Sequence, residues 1–467
     1  MSTFYEPESL YLNGRFNTNA GVLADDSGRI SAVAEAQASS AQSVFFPRRA
    51  LLPGFVNVHS HAFQRLIRGK SESRATSGKD FWSWRGTMYH AAAQLTPQDV
   101  YDVARMAFLE MAHAGITTVG EFHYLHNAPG GQPYDDPNLL GKQVIAAAQS
   151  VGIRIALLRS AYFRSGYEVP PDPGQIRFFE NRKNFLANTE ALVAAYQGEE
   201  NYVQIGVAPH SIRAVPLNDM REIFARANAK HLPVHMHISE QVAENKACQA
   251  EYGSTPITLL AKEKLLTSAL TAVHATHTTD EEIHMMADAG AVICACPTTE
   301  RNLGDGILSA DKVMRAGVPI ALGSDSQAQI DPLEDARQLD YHLRLSHQER
   351  AVLDQIDGQP LAQRLFNSAT INGARSLGVT AGELTNNTYA DFFTVDLDHP
   401  SIAGNSPENL LPILIFGLPS SAICDVAVNG RLIIRDGRHE LEDEIVARYK
   451  EVYRKVWGSA PRRGQQP

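Results

Sequence analysis

Leu51-Leu-Pro-Gly-Phe-Val-Asn-Val-His-Ser-His-Ala-Phe-Gln64 is the stretch around which the rest of the chain can be read. Pro53 and Gly54 mark a loop, Phe55-Val-Asn-Val58 has the apolar run of a buried strand, and His59 and His61 stand at its end. Side chains alternate across a strand, so residues two apart share a face, and two imidazoles in that register can grip one cation. Neutral imidazole is a common ligand for zinc and its neighbours. A lone His-x-His is read as readily as two core or surface histidines, so the weight falls on what else the chain carries.

Working outward, the region from about Pro53 to about Gly378 alternates short apolar runs with longer helical patterns. The strand candidates are Phe55–Val58, Thr117–Glu121, Arg154–Leu158, Val203–Ala208, Val234–Ile238, Thr271–His274, Ala291–Cys294 and Ile320–Gly323. Helical patterns between them include Pro97–Ala114, Leu139–Val151, Phe179–Tyr196, Leu217–Ala229, Pro256–Glu263, Thr279–Ala287 and Ala310–Ala316. Strands alternating with helices in this number predict a parallel (β/α)8 TIM-like barrel. Near the start, Asn13-Gly14 and Asp26-Ser-Gly28 break short alternating runs, as hairpin turns do, and Asn429-Gly430 and Asp436-Gly437 repeat that texture near the end. Ala390–Asp396 reads as a further strand. The two chain ends, 1–52 and 379–467, are therefore expected to meet in one small β-sandwich domain, with 53–378 inserted as the barrel.

Composition bounds the rest. The 467 residues are 44% hydrophobic and 20% charged, ordinary for a soluble enzyme, and the net charge of −10 disfavours a partner such as nucleic acid or an anionic membrane. Any anionic substrate must then be met by local arginines. Cys248, Cys294, Cys296 and Cys424 have no framework spacing and the start shows no signal-sequence pattern, so a reducing cytoplasm is expected. Cys294 and Cys296 lie in an apolar run and read as buried structural thiols rather than ligands. No apolar run approaches the about 20 residues of a membrane span.

In a barrel of this kind the chemistry sits at the C-terminal ends of the strands. Polar residues gather there: His59 and His61 after the first strand, Glu121-Phe-His-Tyr124 after the second and Ala208-Pro-His-Ser-Ile-Arg213 after the fourth. The fifth ends in His235-Met-His-Ile-Ser-Glu240, the sixth in His274 with His277 beyond, and the eighth in Gly323-Ser-Asp325. Any one of these histidines is more readily a satisfied core residue, but the joint pattern favours a metal site. His59, His61, one histidine of the fifth strand and Asp325 make three nitrogens and one oxygen, a set suited to Zn2+ or Fe2+ with room for water. Such an ion brings the pKa of water towards neutrality. Asp325 can take the proton of that water, His274 can orient or deprotonate it, and Glu240 can carry a proton to a substrate nitrogen.

The ordered set Pro-Gly-Phe-Val-Asn-Val-His-Ser-His, His-Ile-Ser-Glu, His274 and Gly-Ser-Asp-Ser resembles the amidohydrolase superfamily, in its mononuclear aminohydrolase branch, over nearly the whole chain. Further blocks, His59-Ser-His-Ala-Phe-Gln-Arg65, Phe81-Trp-Ser-Trp-Arg85, Glu121-Phe-His-Tyr-Leu-His126, Ala208–Arg213 and Cys296-Pro-Thr-Thr-Glu-Arg-Asn-Leu-Gly-Asp-Gly306, look like the members that deiminate N-formimino amino acids. The resemblance implies hydrolysis of N-formimino-L-glutamate to N-formyl-L-glutamate and ammonia in histidine degradation, by a homodimer. It implies one zinc on His59, His61, His237 and Asp325, since the family's ligand stands three before the glutamate. It implies proton transfer by Glu240, His274 and Asp325, and substrate contacts from Gln64, Tyr124, His210, Arg213, Glu240 and Arg85. Tryptophans Trp82 and Trp84 flank an expected lid segment. Many members carry histidine two places after the metal-binding aspartate, where this chain has Gln327, a departure that bears on the hydrogen bonds around Asp325. The fourth strand lacks the lysine that binuclear relatives place there, which disfavours a second metal. Two rival readings are a deaminase of the same branch acting on another formimino amino acid or on a guanine-like, pterin or triazine ring, and a non-catalytic barrel used as a binding module.

Overall fold

The computed structural model describes residues 2–35, 42–70, 72, 81–199 and 201–458. Eight strands form one sheet: β1 Phe55–Ser60, β2 Ile116–His123, β3 Arg154–Ala161, β4 Val203–Pro209, β5 Val234–Ile238, β6 Leu270–His274, β7 Val292–Ala295 and β8 Ile320–Leu322. Each pairs in parallel with the next. Nearly every residue in these strands is buried, as expected when helices cover one face and the barrel core the other. The ring closes just beyond β8: Asp325 N donates to the His59 carbonyl at 2.9 Å, and His61 N donates to the Asp325 carbonyl at 3.0 Å. Closure of the barrel therefore sets the last carboxylate against the first two histidines.

The pairing of β1 with β2 is irregular, with register shifts between Phe55 and Val56 and between Asn57 and Ser60. Val56 and Val58 lie under the helix Ile371–Leu377, where a Cβ on Gly373 would come within 2.9 Å of Val56 Cβ and 3.0 Å of Val58 Cγ2. Only glycine lets that helix sit so close. Asn57 Nδ2 lies 3.6 Å from Met111 Sδ of the helix Pro97–His113 and donates to Ser324 Oγ at 2.7 Å, and beyond the irregularity His59 and His61 both turn to Asp325 at the barrel mouth.

Both chain ends build a nine-stranded mixed sheet. Its central strand Gln42–Pro53 pairs in parallel with Thr3–Leu12 and antiparallel with Phe392–Asp396, then runs through Gly54 into β1. The expected turns are there: Asn13-Gly14, Asn429-Gly430 and Asp436-Gly437 all have left-handed φ values at both positions. A small core of its own, including Tyr5, Leu10, Ile30, Phe46 and Phe392, holds this sheet together. Arg154 at the start of β3 joins the two parts. Its guanidinium donates to Asp391 Oδ1 and Oδ2 at 3.0 and 2.9 Å and lies 3.6 Å from the Tyr389 ring centroid.

Two features differ from the pattern read in the sequence. The Phe179–Tyr196 run is helical only over Arg182–Ala195, because Asn181 Oδ1 accepts from Asn184 N at 2.9 Å and caps the helix there. The helix Glu442–Trp457 leaves the terminal sheet and lies along the barrel helix Pro97–His113, tied by Arg105 to Glu444 at 2.8 Å and by Lys455 to Asp99. Among the described residues, no helix is long and apolar enough to cross a membrane.

Candidate metal centre and active site

Four side chains from three separate parts of the chain converge at the mouth of the barrel. The ligand atoms of His59, His61, His237 and Asp325 all lie within 4.8 Å of one another, and all four residues are buried. His59 Nε2 and His61 Nε2 are each 3.3 Å from Asp325 Oδ1. Gly323 makes the approach possible, since a Cβ there would stand 2.7 Å from His59 Cβ.

The donor set fits a divalent cation on grounds internal to the protein. His61 Nδ1 is 2.8 Å from the Phe122 carbonyl and His237 Nδ1 is 2.9 Å from the His210 carbonyl, so each ring has its outer N–H engaged and presents Nε2 to the centre. Neither His59 ring nitrogen has a hydrogen-bond partner among the described residues although both are buried. Burial, reinforced by neighbouring imidazoles, holds His59 and His237 well below the usual histidine pKa, and burial lowers His61 against the pull of Asp325. Neutral imidazoles are the form that binds metal. At the fifth strand the choice between His235 and His237 falls to His237; His235 points into the barrel floor, 3.2 Å from the Ser376 carbonyl.

A network beneath the centre holds the aspartate loop. Gln327 is fully buried at φ +61°; its Nε2 donates to Ser60 Oγ at 2.9 Å and to the Asp325 carbonyl at 3.0 Å, and its Oε1 accepts from Ser324 Oγ at 2.9 Å. Ser60 in turn donates to Glu121, whose carboxyl burial pushes up to about 8. Asn57 closes the chain on Ser324 at 2.7 Å. Gln327 thus braces the backbone on either side of Asp325. Left-handed backbone recurs at the strand ends that carry chemistry, at Ser239, His274 and Asp325, where a non-glycine residue costs about 1–3 kcal/mol and persists only under tertiary constraint.

The centre opens on a cavity at the barrel mouth. Every expected substrate contact lines it: Gln64, Arg85, Tyr124, His210, Arg213 and Glu240. Gln64 Nε2 donates to the Tyr124 hydroxyl at 2.5 Å, and Arg85 Nε donates to the Tyr89 hydroxyl at 2.9 Å. Burial raises the Glu240 carboxyl above the usual range, with Asp325 adding to the rise and His274 opposing it. Burial would lower His274, yet Glu240, Glu300 and Asp325 around it hold its pKa well above the ordinary value. Two proton carriers with opposite intrinsic charge are thereby set beside the four-ligand cluster.

Met88, Tyr89, Tyr162, Phe178 and Leu303 also line the cavity and were not singled out from sequence. Tyr89 had a usable signal, lying one helical turn after Arg85 on Phe81–Ala92. Trp84 lines the cavity; the Trp82 side chain lies outside the described residues. His277 turns away from the centre, with Nε2 2.7 Å from the Asp305 carbonyl. Cys294 and Cys296 are fully buried, with Sγ atoms 3.9 Å apart. A roomier cleft opens beside Tyr11 and Gln363, but none of the convergent ligands reaches it.

The amidohydrolase family model matches residues 50–433. The chain belongs to the amidohydrolase family. Within that family it is 35% identical over 448 residues to the formimidoylglutamate deiminase of Pseudomonas aeruginosa, covering 96% of each chain. It is 29% identical over 396 residues to the 8-oxoguanine deaminase of the same organism, covering 83% of this chain and 84% of the other. Among solved structures, an amidohydrolase from Brucella melitensis superposes with a TM-score of 0.89 at 32% identity, covering 97% of this chain and 99% of that one. The buried three-histidine, one-aspartate cluster at the barrel mouth suits a divalent metal.

Proposed function

We propose that this amidohydrolase is a formimidoylglutamate deiminase, hydrolysing N-formimino-L-glutamate to N-formyl-L-glutamate and ammonia with one zinc ion. The observation that carries the reading is the presence of Arg85 and Arg213 in the same cavity as Glu240, His274 and the metal cluster. A substrate with an electrophilic amidine-like carbon and two carboxylates needs both chemistries within its own length. The 35% identity to the Pseudomonas aeruginosa deiminase points to the same substrate.

Zinc suits three neutral imidazoles and one carboxylate, and when bound it supplies Lewis acidity that eases deprotonation of water. The chain's own residues do the rest. Asp325 accepts a proton from the attacking water, and His274 holds the oxygen as it bonds to the formimino carbon. In the cationic substrate the carbon–nitrogen double-bond electrons return to nitrogen as the oxygen adds; Glu240 then delivers a proton to that nitrogen, the carbon–nitrogen bond breaks and ammonia leaves. Glu240 recovers its proton from the hydroxyl, which becomes the carbonyl of the formyl group, and the proton on Asp325 passes to solvent. Arg213 and Arg85 clamp the carboxylates, for which a guanidinium fork is well matched. Gln64, Tyr124 and His210 position the chain of the substrate between the two ends.

The same reading takes residues 1–52 with 379–467 as a composite β-domain on a 53–378 barrel, and the enzyme as a cytoplasmic homodimer of histidine degradation, whose mass in solution light scattering would measure. The second reading, deamination of a heterocycle, draws on the aromatic lining of Trp84, Tyr124 and Phe178 and on the 8-oxoguanine deaminase relative. A neutral ring would bring no carboxylate to Arg213, whose buried Nε has no hydrogen-bond partner among the described residues, which favours the first. The deciding experiment is ammonia release from N-formimino-L-glutamate and N-formimino-L-aspartate beside guanine, pterin and triazine substrates. Turnover of a heterocycle with none of either formimino amino acid would overturn the proposal.

A further inference from the structure

The Cys296-Pro-Thr-Thr-Glu300 run is used above only as a family resemblance, and the structure gives its members individual tasks. It opens the short helix Pro297–Leu303 after β7. Thr298 N donates to the buried Asp335 Oδ1 at 2.9 Å, which anchors the helix start to the helix Pro332–His347. Thr299 Oγ1 lies 3.2 Å from the Ser324 carbonyl and 3.1 Å from Ser326 Oγ, the two residues flanking Asp325. Glu300, 3% exposed, accepts from Cys296 N at 2.9 Å and sits 3.2 Å from His274 Nδ1 with the same oxygen, Oε1.

His274 is itself held at φ +71°, at the last position of β6, followed by Ala275 at φ +51°. Its Nε2 faces Asp325, 4.0 Å from Oδ2, so the ring is spanned by a carboxylate at each nitrogen. A carboxylate only accepts, so a bond at Nδ1 requires the proton to be on Nδ1. The nitrogen left to face the cavity is then Nε2, and the ring plane is set from behind. We propose that Glu300 is a positioning residue for the reaction: by accepting a hydrogen bond from Nδ1 of His274 it fixes the ring orientation that directs Nε2 towards Asp325 and the attacking oxygen. The inference rests on the role given to His274 under the proposed function, but not on the identity of the substrate.

The test combines a double-mutant cycle with a spectroscopic readout on the metal-loaded enzyme. Glu300→Ala should lower kcat by about 10- to 100-fold, the usual cost of losing a residue that orients a functional histidine, with KM and metal content unchanged. Glu300→Gln, whose amide oxygen still accepts from Nδ1, should lose less than Glu300→Ala and covers the case in which the alanine variant folds poorly. In a His274→Ala background the Glu300 change should cost nothing more, because its effect passes through the ring. Nitrogen chemical shifts of 15N-histidine-labelled protein, with His274 assigned by its loss in His274→Ala, should show a hydrogen-bonded Nδ1–H in the parent and a shifted, broadened Nδ1 signal in Glu300→Ala, where that bond is lost. A full additional loss in the His274→Ala background, or a His274 signal indifferent to Glu300, would overturn the proposal. If the parent enzyme leaves N-formimino-L-glutamate untouched, the substrate reading fails by itself; the cycle is then run on whichever formimino compound or heterocycle it does turn over, and the spectra need no substrate.

Discussion

Replacing Arg213 with methionine should separate substrate binding from chemistry. Arg213 follows β4 in the Pro209–Arg213 turn, lines the cavity and has a buried Nε with no hydrogen-bond partner among the described residues. Tyr162, Glu244 and Glu240 around it favour the charged form against the cost of burial. A guanidinium held charged, desolvated and short of an acceptor gains most when a carboxylate arrives. Methionine keeps much of the stem volume and removes the charge. The loss of one charged hydrogen-bonding contact is about 2–3 kcal/mol, or about 30- to 150-fold in kcat/KM. Since the carboxylates of the substrate do not react, the loss should fall mainly on KM, with kcat little changed. Initial rates of ammonia release, followed through coupled reduction by glutamate dehydrogenase, would measure both constants for N-formimino-L-glutamate and for N-formiminoglycine, which lacks the distal carboxylate. If Arg213 holds that distal group, the variant and parent should converge on the truncated substrate; if it holds the other, the loss should persist on both. An unchanged KM on the full substrate, with metal content intact, would refute the assignment.

His237→Ala should release the bound metal and abolish ammonia production, because it removes one of four ligands and leaves its neighbours unable to close the coordination sphere; metal analysis of the purified variant checks this. Asp391→Ala should destabilise the fold by about 3–5 kcal/mol in urea unfolding, since it strands the buried Arg154 guanidinium, and leave the site residues in place. Glu244 is buried, with a pKa pushed up to about 7 by desolvation and by Glu240 against the opposing Arg213. The folded state therefore keeps that proton to higher pH than the unfolded chain, so its contribution to stability falls as pH rises from about 4.5 to about 7, at a slope approaching 1.4 kcal/mol per pH unit. Glu244→Gln should flatten that part of the pH–stability curve, which denaturant unfolding at several pH values would show.

The parts of the fold legible in the sequence are those whose signal is local. Parallel strands buried on both faces read as continuous apolar runs, so Val234–Ile238 and its companions stand out, and the helices Leu139–Val151 and Leu217–Ala229 fall where their periodicity places them. Asn-Gly and Asp-Gly turns declare the terminal hairpins because so few residues accept left-handed backbone. The ligand set was legible for a related reason: a polar residue ending an apolar strand has only the barrel mouth to face. What depends on contacts between distant loops left no such trace. The helix Glu442–Trp457 is visibly amphipathic, but nothing in its pattern says that it covers a barrel helix rather than the sheet beside it. Glu300 has the look of an ordinary first-turn carboxylate, and only the folded chain brings it to His274 across 26 residues.

Gln327 shows the same limit from the other side. It stands where many members carry histidine, and in the sequence it bears on the hydrogen bonds around Asp325. In the structure its amide performs three bonding tasks at once, two as donor and one as acceptor, joining Ser60 of β1 to Ser324 and to the Asp325 carbonyl. A neutral imidazole has one donor and one acceptor and could not make all three contacts. A glutamine there therefore accompanies a strand-one serine and a loop serine that need bridging, and the chemistry at Asp325 is served by a differently built brace rather than a weaker one. The consequence is specific: Gln327→His should weaken metal retention by breaking the Ser60 or Ser324 link, whereas a loop that tolerated either residue would keep its metal unchanged on dialysis against a chelator.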